Sequence, residues 1–135
     1  MEKIGLLAGI GRLPVEIALA AQDSNIEITA IALLDDVEAD LAESVVDFNK
    51  INIGQLDCII QTLVQKNIKQ VTMIGKVTKE LMFNGEVAID QRWQKLFSSL
   101  PNNNDDTLML ALVQELATEG IGVFDQTMLI KKLMP

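Results

Sequence analysis

Lys3-Ile4-Gly5-Leu6-Leu7-Ala8-Gly9-Ile10-Gly11-Arg12-Leu13-Pro14 is the stretch that decides the fold. Lys3 to Ala8 is nearly continuous in apolar residues, as a strand buried on both faces of a parallel sheet requires. Gly9 and Gly11 then allow close backbone approach, and Pro14 suits the first position of a helix. A strand, a glycine turn and a helix start in that order predict an α/β unit.

Working outward, Ile26 to Leu34 and Val71 to Ile74 have the same apolar character and are expected as core strands. Asp47 to Ile53 alternates, with Ile51 and Ile53 between polar residues, which places it as a strand nearer an edge. Leu56, Ile59, Ile60, Leu63 and Val64 recur at helical spacing, as do Ile89, Trp93, Leu96, Phe97 and Leu100. Asp105 to Glu119 reads as a helix stopped by Gly120, followed by a short strand Ile121 to Phe124 and a last helix Gln126 to Met134. Strands and helices in alternation predict a Rossmann-like, three-layer, doubly wound and mainly parallel sheet of about five strands. Residues 1–135 are expected to form one domain. The methionines and Trp93 are assigned to helical faces and the core, and Cys58, off its helix's apolar stripe, is expected to be inert.

Composition excludes several chemistries. The apolar and charged fractions, 49% and 22%, are those of an ordinary globular protein. No apolar stretch approaches the ~18 to 20 residues that cross a bilayer. The chain starts directly on a core strand without a leader pattern, which predicts a cytoplasmic protein. With one cysteine and no histidine, neither an internal disulfide nor a histidine-based triad or metal site can form. A net charge of −8 opposes binding of nucleic acid and anionic membranes.

Ligands of such sheets bind beyond the carboxyl ends of the strands. On that rim the free N–H groups at the helix start that follows Gly9 and Gly11 can hold a phosphate. The same glycines also fit a plain strand-to-helix turn, and Pro14 stands where a dinucleotide fingerprint has its third glycine. Gly75-Lys76-Val77-Thr78-Lys79 follows the fourth strand, and its lysines either neutralise phosphate oxygens or are solvated. Arg12, Lys76 and Lys79 share this rim although the chain has only 11 basic residues. Asp35-Asp36 and Asp105-Asp106 also fall there. They can help hold magnesium, or serve as a turn and as a helix cap with dipole partners.

Together Leu7 to Pro14, Ile53-Gly54-Gln55-Leu56, Met73-Ile74-Gly75-Lys76-Val77, Asp105-Asp106 with the following leucines, and Glu119-Gly120-Ile121 resemble the amino-terminal half of the LpxI-type UDP-2,3-diacylglucosamine pyrophosphatases. The resemblance covers nearly the whole chain. It implies a protein that hydrolyses UDP-2,3-diacylglucosamine with Mg2+ to UMP and 2,3-diacylglucosamine 1-phosphate, a step of lipid A biosynthesis. The family's carboxy-terminal catalytic domain, which carries the acidic and metal-binding residues, has no counterpart in this chain. No catalytic or metal-binding residue is therefore assigned, and the fragment alone is expected to be inactive and not to hold Mg2+ itself. What carries over is substrate and phosphate binding by Gly9, Ile10, Gly11 and Arg12 and by Gly75, Lys76 and Val77, with Asp105 and Asp106 as a weaker third element. The implied partners are the substrate, the lipid product and the catalytic domain. A peripheral inner-membrane contact and a homodimer are left open.

Two other classes stay open. A nucleotide- or dinucleotide-binding domain of an oxidoreductase or regulator is supported by the glycine loop and Asp35 or Asp36, and opposed by Pro14. A non-catalytic assembly domain is supported by the lack of histidine and the acid-rich surface.

Overall fold

A computed structural model describes residues 2–34, 37, 39–75, 89–102, 104–124 and 126–133. Its strands are β1 (Glu2–Ala8), β2 (Ile26–Ala32), β3 (Asp47–Lys50), β4 (Gln70–Ile74) and β5 (Gly122–Val123). The helices are α1 (Leu13–Asp23), α2 (Leu41–Ser44), α3 (Leu56–Gln65), α4 (Gln91–Ser99), α5 (Asp105–Thr118) and α6 (Gln126–Leu133). The five strands lie in the order β3-β2-β1-β4-β5, all parallel. The expected doubly wound α/β sheet is what forms, with β3 at an edge.

Period-two alternation divides the strand side chains between two cores. Ile4, Leu6 and Ala8 of β1 join Val15, Ile17 and Ala18 of α1, Leu41 of α2 and Leu129 of α6 on one face. Leu7 and Val71 join Ile59, Ile60 and Leu63 of α3, Trp93 of α4, and Leu112 and Leu116 of α5 on the other. Gly5 faces this second layer. A Cβ there would lie 2.6 Å from Val71 Cγ1 and 3.0 Å from Ile68 Cγ2, so the missing side chain is what lets β4 and the α3 connection close on β1. Among the described residues no helix is long and apolar enough to cross a membrane.

Element ends differ from expectation for local reasons. Asp47 to Ile53 stops as a strand at Lys50, because the Asn52 side chain accepts the Gly54 N–H and turns the chain. Backbone pairing nevertheless continues, with Ile51 N–H donating to Ala32 and Ile53 N–H to Leu33. β2 and β5 are likewise shorter than Ile26 to Leu34 and Ile121 to Phe124. Val64, expected on the packing face, is 40% exposed because it lies at the margin of the α3 stripe. Ile89 and Leu100 lie outside α4 and flank it, since Asp90 is its N-cap. Met73 is on a strand, not a helical face. Trp93 is fully buried and Cys58 exposed, as expected.

Candidate functional site

The connection after β1 runs to one face of the sheet through α1, and the chain beyond β4 returns on the opposite face in α4. Neighbouring strands whose continuations part in this way leave a crevice at their carboxyl ends, the ordinary ligand position of such sheets. Here the crevice floor is backbone. Gly9 N–H donates to the Ile74 carbonyl at 2.8 Å. Gly75, at φ +100°, would carry a Cβ only 2.8 Å from the Gly9 carbonyl carbon and 2.9 Å from its oxygen. Both the left-handed φ and the contact exclude a side chain at position 75. Gly11 differs: its φ is +122° but a Cβ would meet nothing within 4 Å, so it is the turn and not space that needs glycine.

After this turn Arg12 caps α1 through its carbonyl, which accepts the N–H groups of Val15 and Glu16 at 3.0 and 3.2 Å. Pro14 is the second helical residue, not the first, and is buried. It has no N–H, so the helix start offers Gly11 and Leu13, whose N–H groups meet no acceptor among the described residues. Ile10 packs half-buried against the core, so only its backbone can serve a ligand.

The sequence gives little hint that Arg12 reaches Asp40. Its Nη1 lies 2.6 Å from Oδ2 of Asp40, the N-cap of α2, and both side chains are about half exposed, 51% and 46%. The hydrogen bond from Arg12, with a backbone hydrogen bond of Asp40 and the guanidinium charge, holds the Asp40 carboxyl below the usual range. The turn after β1 is thus tied to the connection after β2. Asp106 stands exposed in the first turn of α5, and no hydrogen bond or ion pair among the described residues joins it to the Gly9–Arg12 turn. Asp105 is the first residue of α5, but the cap is Asn104, whose Oδ1 accepts the Thr107 N–H at 2.8 Å. Neither aspartate is the cap. Lys76, Val77, Lys79, Asp35 and Asp36 lie outside the described residues.

A second polar region was not anticipated. Asp90 accepts the Trp93 N–H at 3.0 Å and the Asp57 N–H at 2.7 Å, joining the starts of α4 and α3. Arg92 donates to Asp57, Glu115 and Glu119 at 2.8, 2.7 and 3.0 Å. Its side chain is only 17% exposed. Burial opposes its charge, yet the three carboxylates outweigh that and raise its pKa above the ordinary arginine value. Asp57, Asp90, Gln91, Arg92, Lys95 and Glu115 line a cavity of about 600 Å³. Its guanidinium is already held by three carboxylates, which makes it a poor anion receptor. Among the described residues no group of three or more acids, cysteines or histidines is placed to hold a metal ion.

A model of the LpxI N-terminal domain matches residues 3–133. No curated protein matches the sequence. Among solved structures, the biotin carboxylase subunit of a pyruvate carboxylase is 14% identical with a TM-score of 0.52, covering 91% of this chain and 22% of its own. The biotin carboxylase domain of a single-chain bacterial carboxylase is 12% identical with a TM-score of 0.53, covering 96% and 25%. That of a thermophilic 2-oxoglutarate carboxylase bound to ADP is 12% identical with a TM-score of 0.53, covering 91% and 22%. The chain spans about a quarter of the length of these structures, and at such identities the likeness is one of fold alone.

Proposed function

This chain belongs to the LpxI N-terminal domain family, and from that premise we propose that it is the substrate-positioning domain of a UDP-2,3-diacylglucosamine pyrophosphatase. The observation that carries the reading is the meeting of two of the family-like loops, Gly9 to Arg12 and Gly75, backbone against backbone at the mouth of β1 and β4. A pyrophosphate needs hydrogen-bond donors on its non-bridging oxygens and room for the chain to come close. The Gly11 and Leu13 N–H groups supply the first, the glycines the second, and Arg12 a charge at the edge. Lys76 and Val77 belong to the same proposed site by sequence, and Asp105 and Asp106 are its outermost members.

Hydrolysis adds water to one phosphorus, breaks the bond to the bridging oxygen and yields UMP and 2,3-diacylglucosamine 1-phosphate. A carboxy-terminal catalytic domain would supply the oriented water and the acceptor of its proton. Magnesium would neutralise phosphate charge in that two-domain protein. The role proposed for this domain is to bind and orient the substrate.

UMP release from UDP-2,3-diacylglucosamine in magnesium tests the reading, measured for this chain alone and for the chain followed by a carboxy-terminal LpxI domain. Release by the two-domain protein only is expected. No release by either contradicts the assignment.

A further inference from the structure

The cavity between α3, α4 and α5 carries hydrogen-bonding groups that the Arg92 network does not use, and we infer that it binds a neutral cyclic polyol such as a hexopyranoside. This ligand is separate from the phosphate proposed for the crevice. Two of the lining residues are fully committed. Arg92 spends Nε, Nη1 and Nη2 on Glu115, Asp57 and Glu119, and the two oxygens of Asp90 accept the N–H groups of Trp93 and Asp57. The others are not. Asp57 and Glu115 each give Arg92 one oxygen and keep the second without a hydrogen-bond partner among the described residues. The Gln91 amide and the Lys95 ammonium, both on exposed residues, have no partner there either. Gln91 and Lys95 also line a second cavity of about 340 Å³ with Gln94 and Ser98, so polar groups continue along one face of α4.

Charge selects the class of ligand. An anion entering the cavity meets Asp57, Asp90 and Glu115, and a cation meets Arg92 and Lys95, so a full charge of either sign is opposed. Among the described residues no three acids stand together to hold a metal ion. A hydroxyl carries no net charge and both donates and accepts. It can donate to the spare carboxylate oxygens and accept from Lys95 and Gln91, and hydrogen bonds to charged groups are the strong ones. A ring with several hydroxyls makes such bonds together and loses little internal freedom on binding. Arg92 holds Asp57 and Glu115 in place beforehand, which lowers the same cost on the protein side. The bonds that fasten the helices thus also prepare the cavity.

Backbone and glutamine side-chain amide shifts of the isotopically labelled whole chain, titrated with methyl α-D-glucopyranoside and with myo-inositol, test this. Saturable shifts from at least one of the two are expected at Asp57, Gln91, Lys95 and Glu115, with Gly9, Gly11 and Gly75 still. Lys95→Met and Gln91→Ala are expected to weaken that binding about tenfold and about threefold, the sizes of a charged and a neutral hydrogen bond. Both should keep the wild-type urea midpoint, since each removes an exposed group that has no partner among the described residues. Protonated glucosamine, which brings an ammonium to the cavity, is expected to bind more weakly than the glucoside. Tighter binding of glucosamine would make the cavity a cation site and overturn the inference. So would the lack of a saturable shift from either polyol, shifts centred on Gly9 and Gly75, or an affinity that both substitutions leave unchanged.

Discussion

The crevice between β1 and β4 and the cleft between α3, α4 and α5 are both polar, yet they are made of opposite materials. The crevice is backbone brought close by glycine, edged by the half-exposed ion pair of Arg12 with Asp40. The cleft is made of side chains whose charges are already satisfied around Arg92. A phosphate entering the cleft must displace the carboxylates that Arg92 already holds, whereas the Gly11 and Leu13 N–H groups of the crevice meet no acceptor among the described residues. The difference teaches that the cleft fastens three helices together, whereas the crevice is where we propose that the phosphate binds.

The comparison breaks most easily at Gly75. Gly75→Ala forces a Cβ onto the Gly9 backbone and a side chain onto a left-handed φ, and should destabilise the fold by about 3 kcal/mol, read as a lower urea midpoint. A midpoint equal to wild type contradicts the close approach. Arg92→Met should cost about 1 to 2 kcal/mol, less than a fully buried network because Asp57 and Glu119 are partly solvated, and should leave pyrophosphate affinity unchanged. Reduced affinity in that variant would move the site to the cleft.

These two regions were not equally legible. Gly9, Gly11 and Gly75 announce themselves because a glycine after an apolar run marks a turn, and the runs Lys3 to Ala8, Ile26 to Leu34 and Val71 to Ile74 gave the sheet core. The edge position of Asp47 to Ile53 followed from its alternation, but its end did not, because an Asn side chain turning back on Gly54 is a matter of rotamer. The Arg92 cluster draws on Asp57, Glu115 and Glu119, and Arg12 finds Asp40 across 28 positions. Such pairs form only once the strands are ordered, and no local pattern in an acid-rich chain distinguishes these carboxylates from the others. Asp105-Asp106 misled in the same way: two acids at a helix start suggest a cap, but Asn104 one position earlier has the extended backbone that a cap needs.

Smaller effects sharpen the contrast. Arg12→Ala should leave the urea midpoint essentially in place, as an exposed ion pair requires, while weakening pyrophosphate binding about tenfold through the lost charge-assisted contact. A large drop in stability would make Arg12 structural, like Arg92. The smallest effect is on titration. Since the folded pKa of Asp40 lies below its ordinary value, its pairing stabilises the fold above the unfolded pKa and is lost as the pH falls through the folded one. Carboxyl resonances followed by NMR should show Asp40 titrating below the usual aspartate range, and moving up toward it in Arg12→Ala. An unchanged titration in that variant denies the pairing.

The central claim is that ligand phosphates meet the glycine crevice. Its most direct test is a titration of the isotopically labelled chain with UDP, followed by backbone amide shifts. The account predicts that Gly9, Gly11, Arg12, Leu13 and Gly75 move most, with Asp57, Arg92 and Glu115 nearly still. The largest shifts at Asp57, Arg92 and Glu115, or no shift anywhere, would contradict it.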